Sequence, residues 1–382
     1  MKAMNNDTDN QNHIEPYRLL FPLGIFLGIL GVLLWLLFQF GWIRFYPRAA
    51  HGNLMFFGLL WSFVAGFLMT AIPKMTSTKP AEILEISAAV SLSFIQLVLN
   101  IRNLTDVSVA LFLLQNLFLV SFIVRRFLVH RQIPFFGFIF LPMAFIQSFI
   151  GISLFWIGSF DRSLILLFCG EAFILNLIVG LGSRLIPVIS RLPNALLPTE
   201  KTKFKLQLWP LFAFILINTG YWIELFGLKD FGLGVKIIGL AIAMIKLFRI
   251  FTKPVTWSYV GISLKISVLM LLVGEFLNFS FLNYSLAGLH MIYIGGFTLI
   301  TLMIATRVML AHGGQTLEYE VSAPRIAWVS AMILLSALLR WLAGVQITSL
   351  FLSISVLFFI TAVVTWSVQF IKILNSAYKK QN

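Results

Sequence analysis

The chain has 382 residues, of which 59% are hydrophobic and only 11% charged, with a mean hydropathy of +0.95 and a formal net charge of +14. A soluble domain carries about 25% charged residues, so the composition excludes one and indicates an all-α polytopic integral membrane protein. The basic excess does not indicate a nucleic-acid partner, because its distribution along the chain marks membrane topology.

Residues 1–17 are polar, carry Asp7, Asp9 and Glu15, and lack a short apolar core with a cleavage site. No signal peptide is expected there, only a disordered tail. Crossing roughly 30 Å of hydrocarbon at 1.5 Å per residue requires about 20 apolar residues. Stretches of this kind fall near 19–41, 52–73, 81–100, 104–124, 134–157, 163–187, 206–226, 231–250, 257–280, 284–311, 324–345 and 347–373. The reading is therefore one twelve-helix domain over 18–373, followed by a tail at 374–382. The apolar runs are continuous and do not alternate with period two, so barrel strands are excluded.

With the N-terminus inside, inner segments hold seventeen Lys and Arg residues, whereas the outer loops hold five: Arg44, Arg48, Arg102, Arg162 and Lys229. This bias places both termini in the cytoplasm. The longest inter-helix segment, about 188–205, is basic and would divide the chain six and six. Internal similarity suggests a different division. Gly66 to Pro73 in span two matches Gly180 to Pro187 in span six, and Met303 to Leu310 in span ten fits the same frame. Spacing by four spans suggests three four-helix units.

Five histidines exist, and His13 and His130 lie in the tail and an inner loop. His51 opens span two, followed by a Met/Phe/Gly face that includes Met55 and Gly58 and on which a flat ring could lie. His290 lies about two turns into span ten, at the same depth. His312 is 22 residues further on, roughly 33 Å away in a helix, so it cannot share a metal with His290 unless the helix is broken. Taken singly, each imidazole also suits an interfacial or packing hydrogen bond. Their shared depth favours one cofactor held from two helices, and a neutral imidazole pair suits haem b, which needs no covalent Cys-x-x-Cys-His attachment. His312 stays a separate candidate metal ligand.

Glu171 and Glu275 lie well inside apolar stretches, where a carboxylate is costly without a partner. They are read as a proton path or as support for a histidine, or else as packing partners of Lys265 or Lys236. Lys236, Lys246 and Arg340 are close enough to span ends to snorkel. Arg184 and Arg307 occupy equivalent places in the repeats, where they suit a cofactor's carboxylates, an anionic substrate or lipid phosphates, or simply anchor helix ends. Carboxylates of a cofactor held by His51 and His290 should instead meet outer groups such as Arg44, Arg48 or Arg162. The lone Cys169 is read as buried filler.

The three repeat segments together resemble the NnrS family over nearly the whole chain. The family's His-x-His-Glu-Met-x-Phe-Gly appears as His51-Gly52-Asn53-Leu54-Met55-Phe56-Phe57-Gly58, followed by Ala65 through Pro73. Its Gly-Gly-Arg-x-Ile-Pro appears as Gly182-Ser183-Arg184-Leu185-Ile186-Pro187. The His-rich tenth span ending in Arg-x-x-Leu-Gly-His-x-Gly-Arg appears as His290 through Arg307 to His312 and Gln315. The resemblance implies a haem- and copper-containing protein of the bacterial inner membrane that acts in nitric-oxide stress, with haem-dependent oxidoreductase chemistry and an unidentified electron donor. Asn53 and Leu54 depart from the motif, which puts the copper in doubt and leaves the haem. Span two also resembles the matching helix of haem–copper oxidase subunit I, but this chain lacks that superfamily's copper-ligating histidines on spans six and seven. Two alternatives stay open at this point: a secondary transporter of a small anion, or a non-catalytic haem or metal assembly factor.

Overall fold

A computed structural model describes residues 14–130, 135–158, 163–195, 207–280, 285–313, 316–346 and 348–379. Among them the chain is helical and has no strands. The helices are α1 (Tyr17–Gln39), α2 (Arg48–Thr76), α3 (Ile83–Ile101), α4 (Thr105–His130), α5 (Phe136–Ile157), α6 (Ser163–Ile189) and α7 (Leu208–Leu225). There follow α8 (229–247), α9 (Tyr259–Ser280), α10 (285–312), α11 (Pro324–Gln346) and α12 (Ser349–Lys379). Each falls within a few residues of an expected span, because the hydrocarbon thickness fixes how long an apolar helix must be. Eleven of the described helices are long and apolar enough to cross a membrane. The exception is α8, which carries Lys229, Asp230, Lys236 and Lys246.

The bundle is organised around α2, α6 and α10. Their apolar windows are 72–78% buried inside the protein, against 33–50% for the other spans. Each core helix packs against three flanks: α1, α3 and α4 around α2; α5, α7 and α8 around α6; α9, α11 and α12 around α10. This is the arrangement expected of three four-helix units. The calls on residues 1–13, on the inner loop around Arg131, on Arg162 in an outer loop, on most of the 188–205 connection and on residues 380–382 lie outside the described residues.

Each core helix opens with a short α-helical segment, widens into a π-helix and then returns to α-helix. The π-segments are Leu54–Leu60, Leu166–Ala172 and Met291–Thr298. π-Helices are rare and concentrate at functional sites. In all three segments the third residue is aromatic (Phe56, Phe168, Tyr293) and the fifth is glycine (Gly58, Gly170, Gly295). The segments meet at the centre of the bundle, where the Phe56 ring stands edge-on to Tyr293 at 5.0 Å between centroids. On its other side it lies so close to Gly170 that a Cβ there would come within 3.0 Å of the ring.

Hydrogen bonds between buried side chains tie α2 to α3 and α4. Asn53 Nδ2 donates to Asn100 Oδ1 (3.1 Å), Ser108 Oγ (3.1 Å) and the Thr105 carbonyl (3.2 Å), and Gln96 and Gln115 continue the network. Interhelical hydrogen bonds in a membrane contribute about 0.6 to 1.7 kcal/mol. Asn53→Ala is therefore expected to lower stability by about 1 kcal/mol, read as a lower thermal-unfolding midpoint in lipid nanodiscs. An unchanged or higher midpoint contradicts this role.

Candidate functional site

His51 lies in the first α-helical segment of α2, just after Pro47, whose carbonyl accepts the His51 backbone N–H at 2.7 Å. Its ring is half-buried and its Nδ1 is 2.9 Å from the Gly31 carbonyl of α1. A carbonyl only accepts, so Nδ1 carries the proton and Nε2 keeps its lone pair. The contact depends on the bare Gly31 backbone, since a Cβ there would lie 3.1 Å from Leu54 Cβ and 3.3 Å from Met55 Sδ. Trp35 packs edge-on against the imidazole at 5.9 Å and fixes the plane of the ring.

His290 ends the first segment of α10, directly before the π-segment. Its Nδ1 is 2.7 Å from the Leu286 carbonyl one turn back, which sets the same tautomer and leaves Nε2 free to ligate. Neither Nε2 has a hydrogen-bond partner among the described residues. Both rings line one open cleft, between α1, α2, α10, α11 and α12. Met55, Phe56 and Tyr293 supply apolar wall, and Arg48 and Arg340 supply positive charge. Neither arginine makes an ion pair among the described residues. Arg340 is half-buried and lines the cleft.

The remaining sequence candidates are placed elsewhere. Gly58 faces away from the cleft and packs on Leu27 of α1. Arg184, Arg307 and His312 share a second cleft with Lys74 at the opposite end of the bundle. Arg307 is committed to Glu320, with both carboxylate oxygens at 3.0 Å, and Arg191 adds a contact at 3.7 Å. Arg184 lies over the Phe135 ring at 5.0 Å. His312 Nδ1 is 3.0 Å from Glu15 Oε2 and 2.6 Å from Lys74 Nζ, and Lys74 also donates to Glu15 at 3.0 Å. The histidines therefore divide into a pair at one end and a single ring at the other.

Lys236 departs from the snorkelling expectation. It is fully buried, with its ammonium 2.7 Å from Glu171, 3.0 Å from Glu224 and 3.0 Å from Glu275. Glu171 and Glu275 thus pair with Lys236, while Lys265 donates instead to the Thr252 carbonyl at 2.6 Å. Tyr293 connects this cluster to the histidine cleft, because it lines the cleft and its hydroxyl donates to Glu171 Oε2 at 3.3 Å.

The profile of the NnrS family, described as NnrS protein, matches residues 14–377. The chain belongs to the NnrS family. A comparison with curated proteins gave no match. Where the NnrS motif has its second histidine, Asn53 points away from the cleft into the amide and hydroxyl network of α3 and α4. Asn100, Ser108, Gln96 and Gln115 around it offer no imidazole, thiolate or carboxylate, so this position does not fit copper, which prefers imidazole and sulfur ligands. Among the described residues no three His, Cys, Asp or Glu side chains group as a metal site. The two cleft imidazoles, each with an unpartnered Nε2, are the donor type that a haem iron would take. The sequence reading did not single out Tyr293, Glu224 or Arg340 for the site. Their signal was available only as polar residues within apolar stretches, with no indication of which faced one another.

At the far end, burial pushes the Glu15 carboxyl up, but hydrogen bonds and charge from His312 and Lys74 outweigh it and hold the group below its ordinary 4.5. A carboxyl depressed by folding adds stability above its unfolded value and loses it as the pH falls through the folded one. Glu15→Gln is expected to speed hydrogen–deuterium exchange at the start of α1 at pH 7. The wild type should approach the variant as the pH falls below 4.5. Equal exchange in the two proteins at pH 7 contradicts the assignment.

Proposed function

We propose that this NnrS-family protein binds haem b through His51 and His290 and acts in nitric-oxide stress or respiratory redox chemistry. The observation that carries the reading is the pair of imidazoles from α2 and α10 that line one cleft, each with Nδ1 tied to a carbonyl and Nε2 free. Such a tie fixes ring orientation and raises ligand basicity. Met55, Phe56 and Tyr293 are suited to cover the faces of the ring system, and Arg48 and Arg340 to pair with its carboxylates. Arg184, Arg307 and His312 take no part in this site. When bound, the haem supplies one-electron chemistry, tuned by its axial ligands and by the polarity of the cleft. The basic residues around the His312 end support a cytoplasmic location for that end in a bacterial inner membrane.

The absorption spectrum of protein purified after expression with adequate haem tests this. The wild type is expected to show a Soret band with a low-spin pattern. His51→Ala and His290→Ala are each expected to lose that pattern and to weaken haem retention by more than about tenfold, since even supporting residues are worth that much. His312→Ala should leave the spectrum unchanged. Absence of a Soret band, or unaltered spectra in both cleft variants, contradicts the ligand assignment.

A further inference from the structure

Ligation at His51 and His290 leaves unused the ionisable cluster enclosed by α6, α7, α8, α9 and α10. Its members are Glu171 on α6, Tyr221 and Glu224 on α7, Lys236 on α8, Glu275 on α9 and Tyr293 on α10, with Lys229 of α8 acting on Glu224. Glu171, Lys236 and Glu275 are 0% exposed and Glu224 is 6% exposed. The three carboxyl oxygens all lie within 3.0 Å of one nitrogen, so no two of them can be more than 6.0 Å apart.

Charge balance then decides the protonation. Three ionised carboxylates against one ammonium would leave two uncompensated negative charges among buried side chains, where like charges at this distance strongly disfavour joint ionisation. Neutrality leaves one carboxylate and two carboxylic acids. Glu171 is assigned the carboxylate, because its oxygens accept from Lys236 at 2.7 Å, Tyr221 at 2.9 Å and Tyr293 at 3.3 Å, whereas Lys236 is the one ion-pair partner of Glu224 and of Glu275 among the described residues. The Glu224 and Glu275 oxygens lie 3.0 Å from the same nitrogen, and among the described residues Glu275 receives no hydrogen bond from a tyrosine or an amide.

We propose that Glu171, Glu224 and Glu275 around Lys236 form a proton-holding site within the membrane that exchanges protons with the cleft through Tyr293 and with outside water through Glu224. Glu224 is one residue from the end of α7 and is the least enclosed of the three. Transfer moves a proton from the carboxyl group of Glu224 or Glu275 to the Glu171 carboxylate. Glu171 then protonates the Tyr293 oxygen as that hydroxyl gives its own proton to water or an anionic oxygen in the cleft. One proton is moved and no electron. Water at the rim restores the proton through Glu224, and the site holds protons whether or not haem fills the cleft.

Infrared spectroscopy of the full-length protein in lipid nanodiscs tests this without reference to activity or haem. The wild type is expected to show the C=O stretch of buried protonated carboxyl groups at pH 7, and Glu275→Gln should remove roughly half of it, one proton of two. After transfer to D2O, the band of Glu224→Gln should shift through the cleft route alone, and adding Tyr293→Phe should slow that shift by about tenfold or more. A wild type without a protonated carboxyl band at pH 7 overturns the proposal even if the variants fail to fold. So does a band indifferent to Glu275→Gln, or a double variant that exchanges as fast as Glu224→Gln.

Discussion

The edge of Phe56 against Tyr293, with Gly170 closing on its other side, is the contact on which the rest of the structure depends. Lipid is as apolar as a leucine side chain, so helices within a membrane associate through close packing rather than through the hydrophobic effect. A glycine opposite an aromatic ring gives that close approach. Because the contact joins the π-segments of all three core helices, it sets their relative height. It brings the head of α2 and the head of α10 to one cleft, and it places Glu171, next to Gly170, within reach of Tyr293. One packing event therefore positions both the histidine pair and the ionisable cluster.

The two ends of the bundle handle charge differently. At the His312 end, cations meet acidic partners: Arg307 and Arg191 meet Glu320, and Lys74 meets Glu15. Burial pushes the Glu320 carboxyl upward against the pull of these two arginines, which suits a structural clasp. At the His51 end, Arg48 and Arg340 face the cleft with no acidic partner among the described residues, while acidic groups are in excess around Lys236. An arginine without a counter-ion among the described residues beside an open cleft suits an anionic ligand group, and a surplus of buried carboxyls suits proton storage. Neither arrangement is what simple anchoring of helix ends requires.

The fold was largely legible in the sequence because hydrocarbon thickness leaves little freedom in helix length, and every expected span has its helix. The short matches among spans two, six and ten corresponded to three core helices of one design. Their π-segments were not legible, since Leu54–Leu60 and Leu166–Ala172 have the composition of any apolar helix and the widening is decided by contacts across the bundle. Depth counting put His51 and His290 at one level, and both line one cleft in the structure, but it could not show which faces they share. Lys236 was read both as snorkelling and as a partner of Glu171 and Glu275; the packing of five helices decides for the pairing and adds Glu224. Asn53 was legible as a departure from the NnrS motif; its use as a donor to α3 and α4 was not.

A cryo-electron microscopy map of the full-length protein, purified from cells with adequate haem, tests the central claim most directly. The account predicts planar density in the cleft, with iron density between the Nε2 atoms of His51 and His290. A haem placed in the cleft beside His312, or iron joined to only one of the two imidazoles, would contradict it.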